Sequence, residues 1–153
     1  MQPVIIDGQV AKDFWLSAIE EQSPPETGRI ATLAQWQLDP SLPAVILQTE
    51  DNPSALFEHL EQLVLIAVHF PDMNDGRGFS IGRALREAGF KGELRATGRY
   101  IRDQLQYLKR CGFNAFSLPS GTTPAAALES LNEINIHYQA AQDLTEPLFK
   151  RLG

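Results

Sequence analysis

A single cysteine, Cys111, excludes an internal disulfide and any cluster or zinc site built from several thiolates. Histidine is nearly as scarce. His59, His69 and His137 lie far apart, with no H-E-x-x-H or other closely spaced pair, so the expectation is no metal site. Long apolar runs are missing too. The longest, from Leu63 to Val68, falls far short of the roughly 20 residues that span a bilayer, so no membrane partner is expected. The first ten residues contain Asp7 and no basic residue before it, unlike a signal peptide. A cytoplasmic location is the resulting expectation. No G-x-G-x-x-G loop follows a strand pattern, Gly76-Arg77-Gly78 being only a fragment of one, and no Walker loop occurs. Redox chemistry needs a flavin, a nicotinamide, a metal or a thiol pair. The residues carry a recognisable box for none of them, which leaves any cofactor unknown.

What is present is a chain of ordinary globular make-up. With 153 residues, 43% hydrophobic and 21% charged, it is long enough to bury a core as one domain. Its net charge is −6, unevenly placed. Between Asp72 and Arg110, nine basic residues face five acids, so that window is +4 and the remainder −10. Seven of the nine are arginines, the side chain suited to bidentate pairing with carboxylate, sulfate or phosphate. The acidic remainder argues against non-specific nucleic-acid binding, which needs a broad basic face. Two readings of the arginines stay open: a local site for a small anion or an acidic partner surface, or ion pairs with neighbouring acids.

Along the chain, residues 1–43 read as an N-terminal arm with a hairpin and a short helix. Val4–Ile6 and Gln9–Lys12 form the hairpin around Asp7-Gly8, Phe14–Glu21 is a helix or an irregular arm, and Thr32 caps a helix reaching Leu38. Residues 44–139 read as a βα core. Strands are expected at Ala44–Leu47, Leu63–Phe70, Glu93–Thr97 and Phe113–Leu118. Helices are expected from Asn52 to Gln62, Phe79 to Ala88, Tyr100 to Arg110, and from Thr123-Pro124 to Leu131. The alternation of Ile134, Ile136 and Tyr138 suggests an edge strand, and residues 140–153 read as a tail. Successive strand–helix units predict a single α/β domain, with a mostly parallel sheet of about four to six strands and helices packed on it, as an open sheet or a partial β/α barrel.

Ligands of such folds sit at the carboxyl ends of the strands. The stretch His69-Phe-Pro-Asp-Met-Asn-Asp75-Gly-Arg77-Gly-Phe-Ser80 leaves a strand there and enters a helix carrying Arg83 and Arg86 on one face. Gly76 and Gly78 would give a guest access to backbone N–H groups. Asp75 could orient Arg77 or serve as an acid or base. His69, at the strand end, is the one histidine placed for a site role. Glu93 and Arg95 share one face of their strand. That face is an ion-paired layer involving Arg83 or Arg86, or a cavity wall with Glu93 as a catalytic carboxylate. Arg99 stands just beyond the same strand. Pro119–Thr123 offers hydroxyls before a helix. Cys111 reads as packing.

The run Phe70-Pro71, Asp75-Gly-Arg-Gly-Phe-Ser80, Arg83, Leu85-Arg86, Gly92-Glu-Leu-Arg-Ala96, Gly98, Asp103-Gln104 and Arg110 to Phe113 resembles a bacterial family of unknown function. Tyr138-Gln139 resembles its closing motif, and the likeness covers roughly Ala44 to Gln139. The family is described as oxidoreductases linked to assimilatory sulfite reduction, often encoded beside the sulfite reductase haemoprotein. It brings no established catalytic residues, so it implies a pathway rather than a mechanism.

Three functions follow as expectations. The first is an accessory protein of sulfite reduction that binds a small oxyanion, or the sulfite reductase haemoprotein subunit, through Arg77, Arg83, Arg86, Arg95 and Arg99. The second is an enzyme on a small oxyanion or acidic metabolite, with Asp75 or Glu93 as acid or base. The third is a purely structural partner subunit.

Overall fold

The computed structural model describes residues 3–12, 16–17, 29–72, 74–118 and 121–132. Strands β1 (Pro3–Ile6) and β2 (Gln9–Lys12) form the expected hairpin. Its turn places Asp7 at φ 52° and Gly8 at φ 80°, the double left-handed conformation that matches strand twist. A two-residue strand, β3 (Leu16–Ser17), follows, then β4 (Arg29–Thr32). Thr32 ends β4 and caps α1 (Leu33–Leu38). Its hydroxyl accepts from the Gln35 amide, while Gln35 Oε1 accepts from the Thr32 amide at 2.9 Å. The cap was legible in the sequence; β4 was not.

The core then runs β5 (Ala44–Leu47), a 3-10 helix (Pro53–Gln62), β6 (Leu65–Phe70), α2 (Arg77–Glu87) and β7 (Glu93–Gly98). A 3-10 turn (Arg102–Gln104) leads into α3 (Leu105–Arg110), followed by β8 (Ala115–Ser117) and helix α4 (124–132). Two expected helices differ in kind: 53–62 is wholly 3-10, and the helix expected from Tyr100 opens with the 3-10 turn. Thr123 does cap α4, its Oγ1 accepting from the Ala126 amide at 3.1 Å. The edge strand expected at Ile134–Tyr138 and the tail after it lie outside the described residues, as does most of Phe14–Glu21.

The fold is α/β, one sheet with helices packed on it. In pairing order the strands run β2-β1-β8-β7-β6-β5-β4-β3. All pairs from β3 to β8 are parallel, and the hairpin joins β8 antiparallel. The eight strands exceed the four to six expected, because the hairpin and the β3–β4 pair extend the two edges.

From β4 to β8 the strands are laid down consecutively. Right-handed crossovers then put every helix on the same face. The buried core agrees: Trp36, Leu56, Leu60, Ile81, Leu85, Leu105, Leu108, Ala127 and Leu131 from the helices meet Val45, Leu47, Ile66, Val68, Phe70, Leu94, Ala96 and Phe116 of the strands. At its centre Phe70 contacts the rings of Phe79, Tyr100 and Phe113, with centroids 5.2–6.2 Å away. Gly78 and Gly82, one turn apart on α2, lie against the rings of Phe70 and Phe113. A side chain at either glycine would hold the helix off the sheet. The opposite face carries a second cluster made of strand residues alone: Ile30, Ala44, Ile46, Leu65 and Ala67.

Candidate functional site at the strand ends

The carboxyl ends of β5, β6 and β7 form a continuous rim, tied together by hydrogen bonds between loops. Asp75, in the loop after β6, accepts from the hydroxyl of Thr49, after β5, at 3.2 Å. The Arg99 amide, after β7, donates to Phe70 O at 2.7 Å. Gly98 permits that junction at φ 99°.

Asp75 is saturated. One oxygen accepts from the backbone N–H and Nε of Arg77, and the other from an Arg77 terminal nitrogen at 2.7 Å and from Thr49. These bonds, with the guanidinium charge, hold its carboxyl far below the usual carboxylate range. A carboxyl so placed has no proton to give near neutrality and is a weak base. Its geometry suits positioning: it fixes the loop and clamps Arg77, whose side chain is 61% exposed at the start of α2.

Arg99 stands at the same rim, exposed, and its guanidinium has no carboxylate partner among the described residues. Its neighbour is His69, whose Nδ1 lies 3.2 Å from the Thr97 hydroxyl. Burial, then the Arg99 charge, lowers the His69 pKa from its ordinary value. The native state thus resists protonation at His69 that the unfolded chain accepts. This contribution to stability is whole above the unfolded value near 6.5 and is lost as pH falls from there through the lowered native pKa. Replacing Arg99 by Ala removes a positive neighbour, so the His69 pKa is expected to rise toward 6.5 in an NMR titration. A fall, or no movement, would remove Arg99 from the vicinity of the ring.

The other arginines are not at this rim, which corrects the expectation that all five converge. Arg83 projects from α2 toward α3, with a terminal nitrogen 3.5 Å from Cys111 Sγ. Arg86 lies at the opposite end of the sheet. Its guanidinium donates to the carbonyls of Gly112, Phe90 and Gly92 at 2.8–3.1 Å, tying the α2–β7 loop to the α3–β8 loop. Arg95 is 2% exposed on the strand face that carries no helix, where it donates to Glu93 at 2.6 and 2.8 Å. The ion-paired layer foreseen on β7 is present, but its arginine comes from the same strand rather than from α2. Glu93 is thereby engaged at the amino end of β7, away from the rim, which disfavours an acid–base role in a rim site. Gly78 is buried under Phe70 and offers no cradle, whereas Gly76 is exposed with open space around it. Cys111 is buried packing at the end of α3.

Thr49 and Thr97 open two of the loops the sequence places at this edge but were not singled out as site residues, and Ser117 was missed. For Thr97 and Ser117 the signal was alternation: Glu93, Arg95 and Thr97 share a face, and in register that face continues to Ala67 and His69 on β6 and Ala115 on β8. Ser117 follows Ala115 on that side.

Among the described residues no helix is long and apolar enough to cross a membrane. A family model described as a bacterial protein of unknown function (DUF934) matches residues 44–149. No curated protein and no solved structure gives a match.

Proposed function

The chain belongs to this bacterial family of unknown function, and we propose on that footing that it is an accessory protein of assimilatory sulfite reduction, binding a small oxyanion at the rim where β5, β6 and β7 end. The observation that carries the reading is Arg99: an exposed guanidinium with no carboxylate partner among the described residues, on the same rim as the clamped Arg77. Bidentate donors of this kind suit sulfite and sulfate. Asp75 supplies orientation rather than chemistry, since its oxygens are filled. The link to sulfite reduction comes from the sequence motifs spanning Phe70 to Phe113.

Calorimetric titration of the full chain with sodium sulfite tests the reading. Saturable binding is expected, weakened about tenfold or more by Arg99→Ala, the loss that removing a charge-assisted hydrogen bond brings. Equal affinity for both proteins, or no heat at all, would sink it. The same rim offers a docking face for an acidic surface of the reductase haemoprotein, because Arg77 projects into solvent. Co-elution of the two proteins in gel filtration, lost in Arg77→Ala, would favour that partner over the free anion.

A further inference from the structure

We propose that the sheet curls into a barrel closed by the segment carrying β2 and β3, and that the anion sits in the carboxyl-end mouth of this barrel, against His69, Thr97 and Ser117. The inference rests on the reading of the rim as an anion site and adds where the ligand goes and what touches it.

The first observation is connectivity. β2 and β3 stand at opposite ends of the pairing order. Laid flat, seven spacings of about 4.8 Å would separate them by about 34 Å. Yet only three residues lie between Lys12 and Leu16, a path that reaches at most about 14 Å. The two edges must therefore approach each other. Direction agrees. β1 is antiparallel to β8 and β2 is antiparallel to β1, so β2 runs with β8 and hence with β3. Parallel strands side by side need a crossover of a dozen residues or more. With three, β2 and β3 lie along one course, one half pairing β1 and the other pairing β4.

The second observation is burial. Every described helix packs on one face of the sheet, yet on the other face Ala44, Leu65 and Ala67 are fully buried, and Arg95 with them. A flat sheet would leave that face open. A barrel turns it inward, where side chains stack in layers. Pairing register supplies the layers. Ala44, Leu65 and Glu93 lie lowest, Ile46, Ala67, Arg95 and Ala115 come next, and His69 and Thr97 form the top. Apolar and ion-paired layers fill the lower part, and the top is polar. Barrels of this kind bind ligands at the carboxyl end.

The chemistry there fits a small tetrahedral or pyramidal oxyanion. The Thr97 and Ser117 hydroxyls can donate, and so can the imidazole. Among the described residues only Nδ1 of the His69 ring is hydrogen-bonded. Arg99 stands at the entrance. One layer down, the Arg95–Glu93 ion pair, without net charge, lies beneath the mouth.

One NMR study of the full-length protein tests both parts. A nitroxide on Val10→Cys, exposed on β2, with Gln9→Cys as the second labelling position, leaves the buried Cys111 unlabelled. It is expected to broaden most strongly the amides of β8, two strand spacings away, and measurably that of Arg29, which opposite Leu16 on the β2–β3 course lies about 20 Å from it. Untouched β4 amides, as six flat spacings or about 29 Å would give, overturn the barrel. Titration of the unlabelled protein with sodium sulfite and with sodium sulfate should shift the His69 ring protons and the Thr97 and Ser117 amides saturably. Thr97→Val should weaken binding several-fold. Shifts confined to Arg77 and Arg99 would overturn the mouth as the site while the rim reading stands. Shifts nowhere would overturn both.

Discussion

Phe70→Ala is expected to lower the free energy of unfolding by about 3–5 kcal/mol, the range for deleting a fully buried aromatic ring. Three aromatic rings surround the site, and Gly78 lies directly against it, so little stands ready to fill the space. Domains of this size are stable by roughly 5–15 kcal/mol, so the loss takes a large share. A urea denaturation midpoint, with the slope checked for constancy, measures it. Tyr107→Ala is the comparison. That ring also contacts Phe79, with centroids 4.8 Å apart, but is 42% exposed, so its removal should cost far less. Similar losses for the two variants would refute the central place assigned to Phe70.

The second large effect is at Gly98. Gly89 and Gly98 have nearly the same left-handed backbone, φ 108° and 99°. A methyl group on Gly89 meets nothing within 4 Å. On Gly98 it would collide with the carbonyl oxygen of Phe70 and approach the Phe70 nitrogen to 2.9 Å and His69 Cε1 to 3.0 Å. Both Ala variants incur the backbone cost, about 1–2 kcal/mol. Gly98→Ala incurs in addition about 1–3 kcal/mol of overpacking against atoms that cannot rotate away. Paired denaturation curves should therefore place Gly98→Ala well below Gly89→Ala. Equal midpoints would show that the β6–β7 junction is looser than described. If the proposed site is correct, Gly98→Ala should also weaken sulfite binding, because the shift it forces moves His69 and Arg99.

The parts of the fold written in local chemistry were legible. The Asp7-Gly8 turn, the Thr32 cap with Gln35 three residues on, and Thr123 before Pro124 each depend on a few adjacent residues, and each is where the sequence put it. β4 escaped because Arg29–Thr32 has no period of its own; its partner β5 defines it. The arginines misled for a related reason. Clustering in sequence says which window holds the charge, but α2 turns Arg83 toward α3 and carries Arg86 to the far end of the sheet, while β7 turns Arg95 to the face without helices. Arg77 and Arg99 stay at the rim because each sits within two residues of a strand-to-loop or loop-to-helix boundary. Glycine was ambiguous in the same way. Gly76 and Gly78 read alike in the sequence, and only packing shows that Gly78 serves Phe70.

The pairing of β1 with β8 has a consequence for the order of assembly. Ile5 lies opposite Phe116, so β1, paired with β2 in the hairpin, meets its second neighbour only after more than a hundred further residues have been made. The β4–β8 units can dock one upon the next as they emerge, each closing a short loop. The amino-terminal hairpin has to wait with Val4 and Ile5, fully buried in the finished protein, still in water. A nascent chain halted before Ala115 therefore presents an unpaired, apolar strand edge, the feature that invites aggregation and chaperone capture.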